Sequence, residues 1–273
     1  GITIDRSVSS QFASALILAA WDLESPLTLE FAGQVVSKSY FAMTLELAKR
    51  AGMQVATSTP EKLVIPSRQK IRPAEIRAEI DVSSAFAVAA LAAVGGKAIF
   101  EEWPCVSLQP DHLFVSLLRE MGAVVNVTES DDPLYGTLSV EQPPTNLRGL
   151  ECNLIDAPDL FPVLVVLCGL AEGKSFLHGA PHLAHKESDR LKKSMELLRL
   201  MGRECRKVGD GLEIQGRVGA SGFGSVKTSY DTDHDHRLAF AAAVARFAGC
   251  PVEILYPEVV DKSRSEEHTS ELQ

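Results

Sequence analysis

The densest run of chemically able side chains is Lys186-Glu187-Ser188-Asp189-Arg190-Leu191. Read as helix, it puts Lys186 and Arg190 four apart on one face, with Glu187 one position round. Charges alone fit an exposed helix laced with ion pairs equally well. The run has company, however. Val8-Ser9-Ser10-Gln11-Phe12, Val36-Ser37-Lys38-Ser39-Tyr40, Pro158-Asp159, Asp235-His236-Arg237 and Asp261-Lys262-Ser263 lie at the same phase of an internal repeat or just beyond it. Arginine suits two-pronged binding of carboxylate or phosphate, and lysine supplies a compact charge. A pair of carboxylates among such cations has the makings of an acid and a base, kept ionised unless burial opposes it. The plain alternative for Ser9, Ser10 and Asp159 is helix capping, and Asp159 is able to serve in both ways.

The repeat supplies the elements that must position these groups. Asp81, Asp156 and Asp235 are each followed five residues later by Phe86, Phe161 and Phe240, and each Phe opens a run of Ala, Val and Leu. Asp5 and Phe12 form a looser copy. A second marker recurs in parallel: an amphipathic stretch ending in Gly52, Gly122 or Gly202, the residue that stops a helix by turning left-handed. Period-2 patterns at 53–57, 97–101, 123–128, 136–140 and 211–214 read as strands. One unit is therefore βαβαββ, with its first helix apolar nearly all round (86–94, 161–170) and so buried. Polar residues suited to capping open these helices: Ser9-Ser10, Ser83-Ser84, Asp159 and Asp235. Buried helices whose N-termini converge aim positive dipole ends at one place, which binds anions. Residues 66–73, with Pro at both ends, read as a hinge. The expected division is 1–72 as one βαβαββ unit, 73–263 as two units and part of a third, and 264–273 as a foreign tail.

Composition excludes several classes. The 273 residues are 45% hydrophobic and 23% charged, which excludes a disordered chain. A net charge of −9, with no run of Lys or Arg longer than two, argues against nucleic acid as a partner. The longest apolar runs reach about half of a membrane span, so no membrane partner is expected. Five scattered cysteines, odd in number and without a Cys-x-x-Cys pair, point to reduced thiols in the cytoplasm and to no metal. The opening Gly-Ile-Thr-Ile-Asp starts as though inside a strand, as expected of a piece of a longer chain. The last ten residues, Arg264 to Gln273, resemble an in-frame translation of a sequencing adapter; a solvated tail is the plain alternative.

On these motifs the chain resembles the 3-phosphoshikimate 1-carboxyvinyltransferase (EPSP synthase) family, over 1–263 and roughly the C-terminal three-fifths of such an enzyme. The resemblance implies an α/β fold of two domains, each of three βαβαββ units, closing over a cleft at their hinge. It implies transfer of the carboxyvinyl group of phosphoenolpyruvate to the 5-hydroxyl of 3-phosphoshikimate, with no metal or organic cofactor, in a monomer. Carried over residue by residue, Ser9, Ser10 and Gln11 match positions that hold 3-phosphoshikimate, Gln11 also lying near phosphoenolpyruvate. Ser37 matches a phosphate-binding serine and Tyr40 a neighbour of the shikimate ring. Asp159 matches the acceptor of the hydroxyl proton, Glu187 a group that moves a proton to the methylene carbon, and Lys186 a residue touching both substrates. Arg190, Arg237 and Lys262 match cations that hold phosphoenolpyruvate, with His236 beside them. His182 stands where the family often has Asn, and Ala184 where Arg is usual. The family's N-terminal Lys-Ser, Arg and Gly-rich loop would precede Gly1, so the chain by itself is expected to be inactive.

Two rivals share the α/β repeat. A UDP-sugar enolpyruvyl transferase has the same units but lacks the pairing of Lys-Glu-Ser-Asp-Arg with Val-Ser-Lys-x-Tyr. A ring-shaped clamp for DNA needs basic inner helices, whereas 86–94 and 161–170 are apolar.

Overall fold

The computed structural model describes residues 1–6, 10–33, 38–72, 77–179, 181–218 and 222–263, without the side chains of Thr57, Ser58, His182, His185, Lys262 and Ser263. Ser9, Ser37 and the last ten residues thus lie outside the described residues, as do the side chains of His182 and Lys262. The chain forms two compact units, Gly1–Ala78 with Leu108–Pro110, and Glu79–Ser107 with Asp111–Gln273.

The first unit runs β1 (Ile2–Asp5), α1 (Gln11–Ala19), β2 (Leu27–Ala32), α2 (Lys38–Arg50), β3 (Thr57–Thr59) and β4 (Lys62–Ile65). Its sheet order is β1-β2-β4-β3, with β1 and β2 parallel and the other pairs antiparallel. Alternation decides which face is buried: Leu27 and Leu29 on β2, and Leu63 and Ile65 on β4, point inward onto Ala13 and Ile17 of α1. Residues 53–57 are not the expected strand. Met53 is buried and its N–H bonds back to Ala48 O, so the chain is still leaving α2; bonding to β4 starts with Ala56 N–H donating to Val64 O, and the strand register with Thr57.

The second unit contains α3 (Val82–Gly95), β5 (Lys97–Pro104), α4 (Phe114–Glu120), β6 (Val124–Glu129) and β7 (Tyr135–Glu141). There follow β8 (Glu151–Asn153), α5 (Phe161–Leu170), β9 (Gly173–His178), α6 (Arg190–Leu200), β10 (Glu204–Val208) and β11 (Gly211–Gly216). It ends with β12 (Thr228–Asp231), α7 (His236–Phe247), β13 (Val252–Leu255) and a 3-10 segment, Pro257–Ser263. The sheet β8-β9-β11-β10 repeats the order of the first unit, β5-β7-β6 repeats it without a first strand, and β12-β13 is its opening parallel pair. Phe86, Phe161 and Phe240 fall on α3, α5 and α7, and these three helices pack against one another. All ten residues of α5 are buried, as its uniformly apolar sequence requires. The helices α2, α4 and α6 end as expected, with Gly52, Gly122 and Gly202 at φ of 105°, 95° and 65°.

Capping differs from expectation in two places. The cap of α3 is Asp81, whose side chain accepts from Ser83 N–H and Ser84 Oγ, so the serines are donors to the cap. Asp159 sits in the 3-10 turn Pro158–Leu160 ahead of α5, and no capping bond is made there. Its carboxylate is directed elsewhere.

Candidate active site

The N-terminal ends of α5, α6 and α7 bring one arginine and three carboxylates together. Arg190, the first residue of α6, is 1% exposed. Its Nη1 donates to Asp159 Oδ1 at 2.6 Å, its Nη2 to Glu187 Oε2 at 2.7 Å, and its Nε to Asp235 Oδ2 at 2.8 Å. Asp235 is wholly buried. It caps α7 by accepting from Arg237 N–H at 2.9 Å and also accepts from Ser188 Oγ at 2.9 Å. A buried guanidinium is tolerable only when charge and every donor are met, and this one is met from three sides.

Lys186 and Glu187 are not on the helix. The run leaves a 3-10 turn (Pro181–His185), bends through Lys186, Glu187 and Ser188, and becomes helical only at Arg190. Asp189 starts that helix, its side chain accepting from Lys192 N–H at 3.0 Å. This Asx cap is a competing local structure that the four-residue spacing concealed. The bend, rather than a shared helix face, brings Lys186 Nζ within 3.7 Å of Asp159 Oδ1. Arg237, from the first turn of α7, approaches the other oxygen, Oδ2, at 3.3 Å.

Asp159 is therefore faced by three cations while its side chain stays 19% exposed. Burial alone would raise its carboxyl; Arg237, Arg190 and Lys186 outweigh that and hold it well below the usual carboxylate range. Asp235 is likewise held down, burial being outweighed by the bonds from Arg190 and Ser188. His236 lies below its ordinary value through burial and the neighbouring Arg237. Arg237 retains capacity: its Nε is buried, and no described residue accepts a hydrogen bond from it.

In the first unit, Ser10 is buried at the start of α1, and its hydroxyl makes no capping bond, so capping does not explain it. Gln11 is exposed in the first turn of α1, and Tyr40 is half-buried in the first turn of α2. Lys262 lies in the 3-10 segment after β13, and His182 in the turn ahead of Lys186. Two side chains of the cluster, Asp235 and Ser188, are absent from the sequence-based set of site residues. The signal for Asp235 was present: it occupies the repeat's Asp phase, one residue before His236-Arg237. Ser188 had no such signal beyond lying inside the charged run.

Among the described residues no three His, Cys, Asp or Glu side chains are grouped to hold a metal ion, and no helix is long and apolar enough to cross a membrane.

Comparison with known proteins gives a consistent result. The model of the EPSP synthase (3-phosphoshikimate 1-carboxyvinyltransferase) family matches residues 1–266. A curated 3-phosphoshikimate 1-carboxyvinyltransferase of Methanothrix thermoacetophila is 36% identical over 262 residues, taking in 96% of this chain and 59% of the relative. That of Syntrophobacter fumaroxidans is 34% identical over 263 residues, 96% of this chain and 60% of the relative. The chain thus spans about three-fifths of the length of these curated relatives. Among solved structures, EPSP synthase from Acinetobacter baumannii superposes with a TM-score of 0.74 at 24% identity, covering 96% of this chain and 60% of that one. The enolpyruvyl transferase NikO from Streptomyces tendae gives 0.64 at 16% identity, covering 98% and 62%. Likenesses at this level of identity speak for the α/β fold.

Proposed function

The chain belongs to the EPSP synthase family, and from that premise we propose that it is the larger part of an enzyme joining phosphoenolpyruvate to 3-phosphoshikimate. The reaction transfers the carboxyvinyl group to the 5-hydroxyl and releases phosphate, giving 5-enolpyruvylshikimate 3-phosphate. The observation that carries the reading is the carboxylate of Asp159 held by Arg190, Lys186 and Arg237. Two anionic substrates repel each other, and fixed cations must bring them together. A carboxylate gripped by three cations is a weak base. Substrate anions that share Lys186 and Arg237 relax that grip, and Asp159 rises toward a value from which it takes the 5-hydroxyl proton.

On this reading Glu187 delivers a proton to the methylene carbon as the new C–O bond forms and later helps to remove one as phosphate leaves. Its bond to Arg190 keeps it near Asp159 without merging the two roles. Lys186 reaches both substrates, while Arg237, His236 and Lys262 meet phosphoenolpyruvate. Ser9, Ser10, Gln11, Ser37 and Tyr40 serve 3-phosphoshikimate, Gln11 also lying near phosphoenolpyruvate, and His182 is a further substrate-binding residue. Arg190, with its donors already spent on Asp159, Glu187 and Asp235, acts as much to hold the acid and base as to meet a substrate. The reading calls on no metal or organic cofactor, and includes a cytoplasmic, monomeric protein.

The test uses the chain completed on its N-terminal side with the corresponding segment of a relative. Phosphate release is followed with both substrates present. Asp159→Asn and Glu187→Gln each lower kcat by on the order of 10²- to 10⁴-fold, and the 273-residue chain alone releases none. Near-normal turnover by the chain alone, or preference for a UDP-sugar acceptor, overturns the reading.

A further inference from the structure

The parallel pairing of β12 with β13, with Asp231 opposite Leu255, makes both strands end at one edge. Their continuations therefore leave side by side. From β12 the chain turns through Thr232, Asp233 and His234 into Asp235, His236 and Arg237; from β13 it turns at Tyr256 into Pro257–Ser263, the segment containing Lys262.

Both turns are made by residues other than glycine in the left-handed region: Asp233 at φ 48°, His234 at 57° and Tyr256 at 57°. Asp and His tolerate that region, but a bulky tyrosine there is an outlier that its surroundings must hold. The holding contact is visible. The His234 and Tyr256 rings meet at 4.3 Å between centroids and 35° between planes. One backbone-side link accompanies it, Thr232 Oγ1 donating to Leu255 O at 3.2 Å. The segment beyond Tyr256 then packs onto α7 and buries Val259.

We propose that His234 and Tyr256 are a positioning pair, clamping the Lys262 segment to the turn that carries Arg237 so that both cations act on one anion. The pair acts through the backbone of the two turns. The inference rests on the phosphoenolpyruvate role proposed above for Arg237 and Lys262.

Two substitutions remove a ring while suiting the left-handed backbone: His234→Asn and Tyr256→Gly. The first measurement is hydrogen exchange in the chain as it stands. Loss of an aromatic pair of this kind makes amides of 258–263 exchange about 3- to 10-fold faster in His234→Asn, although no residue of that segment is changed. The second is kinetics in the completed enzyme. Each substitution raises KM for phosphoenolpyruvate about 3- to 10-fold and leaves KM for 3-phosphoshikimate and the thermal midpoint near parental values. The double variant is no worse than either single one, and Tyr256→Phe, which keeps a ring, restores parental values. Unchanged exchange at 258–263 overturns the clamp. Faster exchange with an unchanged phosphoenolpyruvate KM overturns its positioning role and leaves the proposed function standing. A completed enzyme with no turnover on these substrates overturns the proposed function and the anion role with it, while the exchange result still decides the clamp.

Discussion

Replacing Asp235 by Asn exchanges one oxygen for NH2 at almost constant volume and removes one buried negative charge. In the cluster, Lys186, Arg190 and Arg237 face Asp159, Glu187 and Asp235, three charges against three. Asn is as good a helix cap as Asp, and its carbonyl still accepts from Ser188 or Arg237 N–H. The substitution therefore removes the charge and also turns one acceptor oxygen into an NH2 that faces a donor of Arg190, a guanidinium that is 1% exposed. Removing one partner of a buried pair costs about 3–5 kcal/mol. Arg190 keeps two carboxylates, which sets the expected loss at the lower end, about 3 kcal/mol. Asp235→Ala also removes the cap of α7, about 1 kcal/mol more. With a urea slope of about 2 kcal/mol/M, the midpoints fall by about 1.5 M and about 2 M. Trp103, buried in the second unit, reports this transition once Trp21 of the first unit is changed to Phe. An Asp235→Asn midpoint within about 0.3 M of the parent would refute the argument, since the slope then leaves under about 1 kcal/mol for the charge. So would an Ala variant no weaker than the Asn variant.

Acid should strip the same cluster. The Asp159 and Asp235 carboxyls lie below their ordinary values in the folded chain, so the unfolded chain binds protons first as pH falls. Their contribution is complete above the unfolded carboxyl value, about 3.9, and is lost as pH falls through the folded values. The urea midpoint thus declines below about pH 4, less steeply in Asp235→Asn, and a parallel decline in both would count against it. His236 titrates below its ordinary value because of burial and Arg237, with Asp235 opposing. Observed by NMR, its pKa falls further in Asp235→Asn and rises in Arg237→Gln; the opposite order would contradict the geometry. A Cβ at Gly216 would lie 2.3 Å from Ala171 O and 2.4 Å from Cys168 O, both backbone atoms at the end of α5. Gly216→Ala should cost about 1–3 kcal/mol in the same urea assay, and an unchanged midpoint would show that the close approach relaxes freely.

What the sequence made legible was whatever repeats or alternates. The Asp-to-Phe echo located α3, α5 and α7, and the left-handed glycines ended α2, α4 and α6 as expected. The strands at 97–101, 123–128, 136–140 and 211–214 all lie within or overlap observed strands. Residues 53–57 misled because Met53 and Val55 stand on either side of polar Gln54, ahead of Thr57, yet Met53 is buried by packing at the end of a helix rather than by a sheet. The charged run misled for a local reason: Asp189 caps α6, so Lys186 and Glu187 reach Asp159 from a bend and not along a helical face. Asp235 was legible as the cap of α7 and as a neighbour of the charged run, but not its bond to Arg190, 45 positions away, because no spacing rule connects residues brought together by the packing of two helix ends.

The repeated strand order also governs when each part of the chain is able to fold. Every strand pair from β1 to β4 closes within 2–65, and every pair from β8 to β11 within 151–216, so the pairing of each sheet needs only its own stretch of chain. The helical core of the second unit obeys a different clock, because α3, α5 and α7 come from three successive repeats. Until residues 236–247 emerge, α3 and α5 lack their last partner, and α5 has no polar face to turn toward water. A chain halted before α7 would therefore leave the apolar pair α3 and α5 without the helix that packs on both.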